Sequence, residues 1–183
     1  MGSTRTGGNT EQLARRAAAG LPEAVGQQWV RLIDLSLPGF RDLRHSGDGT
    51  YPSPGGDARR LLDATLRATD IVIASPLYWY SLSAPVKNYL DHWAGWLRVP
   101  GLEFRARMAG KTLWGVTALA DQDRSVADPL VGTLRHTARY MDMRLGGVLL
   151  GNGNAPGQVL ADGDALEETD TFLSDASLTA VAP

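Results

Sequence analysis

The side chains best suited to bind an anion lie in the first ten residues of this sequence. The run from Gly2 to Thr10 reads Gly-Ser-Thr-Arg-Thr-Gly-Gly-Asn-Thr and leads directly into a helical pattern. The first amides of a helix lack intrahelical partners and carry a partial positive charge, so they bind anions. The hydroxyls of Ser3 and Thr6 and the planar guanidinium of Arg5 add donors for phosphate oxygens. The run therefore predicts a phosphate-binding loop, and the alternative is a disordered glycine-rich N-terminus.

This loop matches neither of the common nucleotide-binding motifs. The chain contains no G-x-x-x-x-G-K-[ST] run, and the adjacent pair Gly7-Gly8 lacks the spacing of a G-x-G-x-x-G fingerprint. A nucleoside triphosphatase is therefore not expected.

A second unusual loop follows a short apolar run. Ile71-Val72-Ile73-Ala74 predicts a strand that is buried on both faces of a parallel sheet. The segment from Ser75 to Pro85 comes next and carries Tyr78, Trp79 and Tyr80 in succession. These rings either form a wall for a flat ring system or plug the end of the sheet, since aromatic side chains also dominate ordinary packing.

Helical and strand patterns alternate along the rest of the chain. The predicted helices run from Thr10 to Gly20, from Asp57 (as the cap) to Ala68, from about Ser83 to Leu97, from Asp128 to Met143 and from Asp164 to Asp175. The predicted strands are an edge strand from Gln28 to Leu35, the run 71–74, Leu113 to Leu119 and Leu145 to Leu150, with a long loop from Leu37 to Gly56. This alternation predicts an open parallel sheet with helices on both faces, in one domain over residues 1–183.

Composition excludes several classes of protein. The chain has 183 residues, a net charge of -2 and no cysteine, which rules out disulfides and thiolate metal sites and argues against a nucleic-acid partner. No apolar run approaches the ~20 residues that a membrane-spanning helix needs, so we expect a cytoplasmic protein without a membrane partner. His45, His92 and His136 lie on different elements without a supporting motif, so neither a metal site nor a hydrolase triad is expected.

Together, the two loops resemble the flavodoxin-like superfamily, specifically its NAD(P)H-dependent FMN reductase and quinone reductase branch. The likeness covers nearly the whole chain and implies a flavodoxin-like, doubly wound parallel α/β sheet in three α/β/α layers. The matching residues are Gly2-Ser3-x-Arg5-x-x-Gly8-Asn9-Thr10 and Ser75-Pro76-x-Tyr78-Trp79-x-Ser81-x-Ser83-Ala84-Pro85-x-Lys87-x-x-x-Asp91, with a closing segment Pro156-Gly157-x-Val159-x-x-Asp162 and Ala165-Leu166.

The resemblance implies an FMN-dependent NAD(P)H oxidoreductase that passes two electrons to a quinone, a flavin or a similar small-molecule acceptor, with no catalytic acid or base and no metal. FMN and NAD(P)H are its implied cofactors. The residues carried over for the FMN phosphate are Ser3, Arg5, Gly8, Asn9 and Thr10. Those carried over for the isoalloxazine are Pro76, Leu77, Tyr78, Trp79, Tyr80 and Ser81, and Thr117 or Ala118 would contact the pyrimidine edge.

The sequence departs from the family pattern in two places. The resembled fold has its first strand directly before the phosphate loop, yet Met1 immediately precedes Gly2, so we expect the first strand to be truncated in this sequence. We expect the natural coding sequence to begin roughly five to ten residues upstream, about one typical strand length. After the fourth strand of that fold, where relatives often carry glycines, this chain reads Ala120-Asp121-Gln122-Asp123, which leaves the pyrimidine-edge contact open.

Two further expectations concern assembly and class. Relatives commonly form dimers, so we expect a homodimer, with Trp96 and Phe104 as candidates for a subunit contact. An electron carrier like flavodoxin and a domain that binds no flavin are the alternatives. Arg5 in the loop and the small net charge of -2 favour an enzyme over a carrier.

Overall fold

The computed structural model describes residues 1–174 and contains a parallel sheet with the strand order β1-β2-β3. β1 is Asp70–Ala74, β2 is Thr112–Leu119 and β3 is Arg144–Asn152. Ile71 aligns with Leu113 and Val116 with Leu149, so both pairs of strands are parallel. The predicted open parallel sheet is confirmed.

Six α-helices accompany the strands within the described residues. They are α1 (Asn9–Ala19), α2 (Gly56–Arg67), α3 (Ala84–Trp96), α4 (Phe104–Met108), α5 (Asp128–Tyr140) and α6 (Gly163–Phe172), with short 3₁₀ turns at Leu32–Asp34, Arg124–Ala127 and Gln158–Ala161. Five of the helices match predicted ones, and the short α4 was not predicted. The predicted end of the last helix, Asp175, lies outside the described residues. None of the helices in residues 1–174 combines the length and apolar character that a bilayer crossing requires.

Helices cover both faces of the sheet. Leu113 of β2 packs into a core with α2, α3 and α5, whereas Val116 packs into a second core with α1 and α6. Successive strand residues point to opposite faces, so this division shows that β2 is buried on both sides. The predicted three-layer α/β/α arrangement is confirmed.

The backbone around Met1 differs from the expected edge strand. The predicted strand from Gln28 to Leu35 is wrong. Leu32–Asp34 form a 3₁₀ turn, and residues 28–31 are not in a strand. The amino group of Met1 donates to the carbonyl of Val30 at 2.9 Å, and the amide of Leu32 donates to the carbonyl of Met1 at 3.0 Å. Met1 is therefore the residue through which the backbone before the N-terminal loop pairs with the segment from Gln28 to Leu35.

Two side-chain assignments also need correction. Trp96 and Phe104 are 3% and 2% exposed, with ring centroids 5.4 Å apart, so the expectation that they form a subunit contact is wrong. α4 buries Phe104 against α3, a packing that sequence spacing does not reveal. Asp57 does not cap α2: the cap is Gly55, and the Asp57 carboxylate accepts the amide of Ser36 at 2.8 Å.

Candidate functional site

Loops from distant parts of the chain meet at the carboxyl edge of the sheet. The amide of Gly2 donates to the carbonyl of Ala74 at 2.8 Å, and the Ser83 hydroxyl donates to the carbonyl of Gly2 at 2.8 Å. These bonds join the N-terminal loop (residues 2–8) directly to the aromatic loop (residues 75–83). The structure thus brings together the two loops that the sequence singled out, as expected at the carboxyl ends of parallel strands.

The N-terminal loop is held by its own side chains. Ser3 is 7% exposed, and its hydroxyl accepts the amide of Arg5 at 3.0 Å. The Glu11 carboxylate accepts the amide of Gly7 at 2.9 Å and pairs with Arg15, and these two contacts hold the pKa of Glu11 below its usual value. Gly8 caps α1 without a side-chain bond, so the first amides of the helix stay open to an external acceptor. These contacts hold the loop in place around the open N-terminal end of α1.

Two guanidinium groups lie at this loop. Arg5 is exposed, and within residues 1–174 its guanidinium forms neither a hydrogen bond nor an ion pair. Arg31 reaches the loop from the segment beside Met1, and its Nη1 donates to the Thr6 hydroxyl at 2.7 Å. Sequence reasoning found Arg5 but not Arg31, because nothing local links residue 31 to a loop that precedes it by 25 positions.

Asn9 connects the start of α1 to the loop after β3. Its Nδ2 donates to the carbonyls of Gly153 and Ala155 at 2.8 and 2.9 Å, and its Oδ1 accepts the amide of Gly157 at 2.8 Å. The amide group is therefore fully engaged in positioning two loops. Its predicted contact with a phosphate stays a prediction, as does that of Thr10, which is 4% exposed in the first turn of α1.

The aromatic loop ends in a tight turn with unusual backbone angles. Tyr78 and Ser81 exchange two backbone hydrogen bonds of 3.1 Å, while Trp79 and Tyr80 between them have φ values of 49° and 63°. Two successive left-handed residues define a turn that normally selects Asn or Gly, and each non-glycine residue costs about 1 kcal/mol or more. Strain of this kind is typical of ligand-binding segments.

The strained turn presents its rings to solvent. Trp79 is 92% exposed, and Tyr78 and Tyr80 are 49% and 56% exposed. The alternative that these rings plug the end of the sheet is therefore excluded in this structure. Pro76 and Leu77 are partly buried below them, and Ser81 is exposed at the base of the turn.

The end of β2 carries Thr117, and the loop that follows carries Asp121 and Asp123. Thr117 is 0% exposed, and within residues 1–174 its hydroxyl has no hydrogen-bond partner. Asp121 accepts the amide of Asp123, and Asp123 caps the following 3₁₀ turn by accepting the amide of Ser125 at 2.9 Å. These carboxylates thus serve as loop acceptor and cap, and the predicted contact of Thr117 with a flavin stays a prediction.

Across residues 1–174, the His, Asp and Glu side chains form no group that could hold a metal ion. His45 and His136 are exposed, and a ring nitrogen of His92 lies 2.9 Å from the carbonyl of Pro38. The features that remain at this edge are the open start of α1 and the exposed aromatic turn.

The whole chain is similar to known proteins. The chain is 31% identical over 178 residues to YwqN of Bacillus subtilis (strain 168), named "Putative NAD(P)H-dependent FMN-containing oxidoreductase", with 96% of each sequence covered. The solved structure of Trp repressor binding protein from Bacillus subtilis superimposes with a TM-score of 0.75 at 25% identity, covering 96% of both chains.

A more distant structure shows the same fold. An FMN-dependent NADH-azoreductase from Bacillus anthracis, solved in complex with FMN, has a TM-score of 0.60 at 13% identity, with 91% of this chain and 88% of that chain covered. The family model described as NADPH-dependent FMN reductase matches residues 1–154, a span that includes both the N-terminal loop and the aromatic loop. This chain belongs to the NADPH-dependent FMN reductase family.

Proposed function

We propose that this protein is an FMN-dependent NAD(P)H oxidoreductase that reduces a small-molecule acceptor such as a quinone or a free flavin. The observation that carries the proposal is the junction at Gly2, whose backbone bonds to both Ala74 and Ser83. It sets an anion-binding helix end beside an exposed aromatic turn. FMN has one phosphate and one flat ring system, which are the two groups that such an edge can bind.

The residues present fit this cofactor. The open amides at the start of α1 suit a phosphate dianion, and so does the guanidinium of Arg5, which has no partner within residues 1–174; the hydroxyls of Ser3 and Thr10 are close in sequence. The isoalloxazine would lie against the segment 76–81. Asn9 acts in this proposal by holding α1 against the loop after β3.

When bound, FMN supplies the redox chemistry, since it takes up a hydride equivalent and can pass on two electrons. The chain's part is to bind and orient that group. The backbone amides and Arg5 would fix the phosphate end, and the strained turn at Trp79 and Tyr80 would hold an aromatic wall in place. No side chain is assigned as acid or base, since the carboxylates of this edge already serve as caps and loop acceptors.

We also propose a planar acceptor and a homodimeric assembly. Tyr78, Trp79 and Tyr80 make an exposed aromatic surface beside the cofactor site, which suits a planar acceptor or the second subunit of a dimer.

Turnover with a nicotinamide donor is the direct test. Protein loaded with FMN is expected to oxidise NADH or NADPH steadily when a quinone or free FMN is supplied. Anaerobic titration with each nucleotide, followed by the flavin absorbance, identifies the donor by bleaching. Protein that binds FMN but turns over only with a separate reductase would be a carrier, and protein that stays colourless with excess FMN would refute flavin binding.

Arg5→Ala tests the phosphate end of the site. We expect the dissociation constant for FMN to rise about 10- to 100-fold, because one charge-assisted contact contributes roughly 1.5–3 kcal/mol. Binding of riboflavin, which lacks the phosphate, should change less than 3-fold, as measured by quenching of flavin fluorescence. Arg41→Ala is a control at another exposed arginine of the described chain. An equal loss of affinity for FMN and riboflavin would remove Arg5 from the phosphate site.

A further inference from the structure

A second arginine reaches the N-terminal loop from a segment that is distant in sequence. Nη1 of Arg31 donates to the Thr6 hydroxyl at 2.7 Å, and its Nε lies 3.6 Å from a carboxylate oxygen of Asp34. The side chain of Asp34 is 66% exposed, and an exposed ion pair of this length contributes little because water and salt screen it. The bond to Thr6 is therefore the contact that fixes the guanidinium beside the loop.

A nearly buried carboxylate lies against the same loop. Glu11 is 5% exposed, and it accepts the amide of Gly7 at 2.9 Å and pairs with Arg15 at 2.8 Å. The amide of Gly7 and the guanidinium of Arg15 hold the pKa of Glu11 below its usual value, and the charge of Arg31 acts in the same direction. Glu11 is therefore ionised at neutral pH, and its charge opposes the binding of an anion at this loop.

The charged side chains around the loop are balanced without Arg31. Three of them are guanidinium groups and two are carboxylates: Arg5, Arg15 and Arg31 on one side, Glu11 and Asp34 on the other. Their net charge is +1 with Arg31 and zero without it. A phosphate monoester has its second pKa at about 6, so the phosphate of FMN is close to a dianion at neutral pH. Arg31 thus decides whether these side chains attract that dianion as a group.

We propose that Arg31 is a positioning residue of the flavin site, which favours FMN over riboflavin by offsetting the charge of Glu11 and by fixing the loop through Thr6. This inference rests on the proposed function, because it requires FMN to bind with its phosphate at the start of α1. Arg5 is the exposed guanidinium assigned to contact the phosphate, whereas Arg31 acts through the loop. None of the motifs that carry the family resemblance includes residue 31.

Two substitutions at residue 31 separate its charge from its packing. Arg31→Met keeps a long aliphatic side chain and removes the charge and the donor. We expect its dissociation constant for FMN to rise about 10-fold and that for riboflavin to change less than 3-fold, because riboflavin lacks the phosphate. Arg31→Lys keeps a charge and a donor, so its FMN affinity should stay within about 3-fold of the parent's. Quenching of flavin fluorescence gives both constants, and a thermal melt of each variant checks its folding.

A matched control loses the same charge at the opposite edge of the sheet. Arg105 pairs with Asp142 at 2.9 Å, just before β3 begins. Arg105→Met should leave both dissociation constants within about 2-fold of the parent's, since screening limits the effect of a distant exposed charge.

A double-mutant cycle tests the contact with Thr6. In a Thr6→Val background the bond is already absent, so Arg31→Met should weaken FMN binding by only about 3-fold. A loss that stays near 10-fold in this background would contradict a role through Thr6.

The remaining outcomes separate this inference from the proposed function. Equal losses of FMN and riboflavin affinity in Arg31→Met, or FMN binding within 2-fold of the parent's, would overturn the role of Arg31 alone. A loss in Arg31→Lys as large as that in Arg31→Met would overturn the role of its charge. A parent protein that binds neither flavin would refute the proposed function, and this inference with it.

Discussion

Gly2→Ala should destabilise the protein by about 1–3 kcal/mol, a cost typical of steric overlap in a packed core. A Cβ at Gly2 would lie 2.2 Å from Cγ2 of Val86 and 2.5 Å from Oγ of Ser83. Neither neighbour can easily move, because Val86 is 1% exposed and β-branched and the Ser83 hydroxyl bonds to Gly2 itself. Urea denaturation gives the change in the free energy of unfolding.

The matched control is Gly132→Ala in α5, where a new Cβ would have nothing within 4 Å. Alanine forms helix better than glycine, so this variant should be stabilised by about 0.5–1 kcal/mol. The Gly2 variant should also lose flavin affinity, since this residue bonds the N-terminal loop to Ala74 and to the aromatic loop at Ser83. A free energy of unfolding for Gly2→Ala within 0.5 kcal/mol of the parent's would show that the contact at Gly2 is not tight in solution.

Asn9→Ala should cost about 1–3 kcal/mol of stability and weaken FMN binding at least 10-fold. The change leaves the carbonyls of Gly153 and Ala155 without a donor and the amide of Gly157 without an acceptor. A net hydrogen bond is worth roughly 0.5–1.5 kcal/mol. The start of α1 would lose its hold on the loop after β3, and the helix amides would lose their fixed position.

Two further variants sharpen this prediction. Asn9→Asp keeps an acceptor for Gly157 but places a carboxylate oxygen against the two carbonyls, so it should be at least as destabilising as alanine. Asn154→Ala removes an exposed side chain from the same loop and should be neutral. Denaturant titration and FMN fluorescence measure both effects. Equal stabilities for the Asn9 and Asn154 alanine variants would contradict the positioning role.

Much of the fold was predictable because its signals are local. The apolar spacing of Leu13, Ala14 and Ala17 predicts α1, and the β-branched run of β1 marks a strand buried on both faces. The aromatic loop follows β1, and the N-terminal loop meets it at the carboxyl edge of the sheet, where ligands bind in folds of this kind. Gly2 and Ser83 confirm this through a hydrogen bond across 81 residues.

The features that the sequence predicted wrongly or did not predict are not set by such local signals. Trp96 and Phe104 are both large and apolar, which suits an interface as well as a core, and only the folding of α4 against α3 decides between them. The contact of Arg31 with Thr6 depends on where the segment beside Met1 lies. The left-handed angles of Trp79 and Tyr80 oppose their own backbone preferences, so no propensity argument finds that turn.

Residue order alone therefore determined the α/β class, the positions of most helices and strands, and the two loops that carry the family's motifs. The tertiary structure alone decided that the Asn9 side chain is engaged by the loop after β3, that the aromatic turn is exposed, and that Arg31 reaches Thr6. The physical reason is range: periodicity and propensity act over a few neighbouring residues, whereas these features arise from groups brought together by packing.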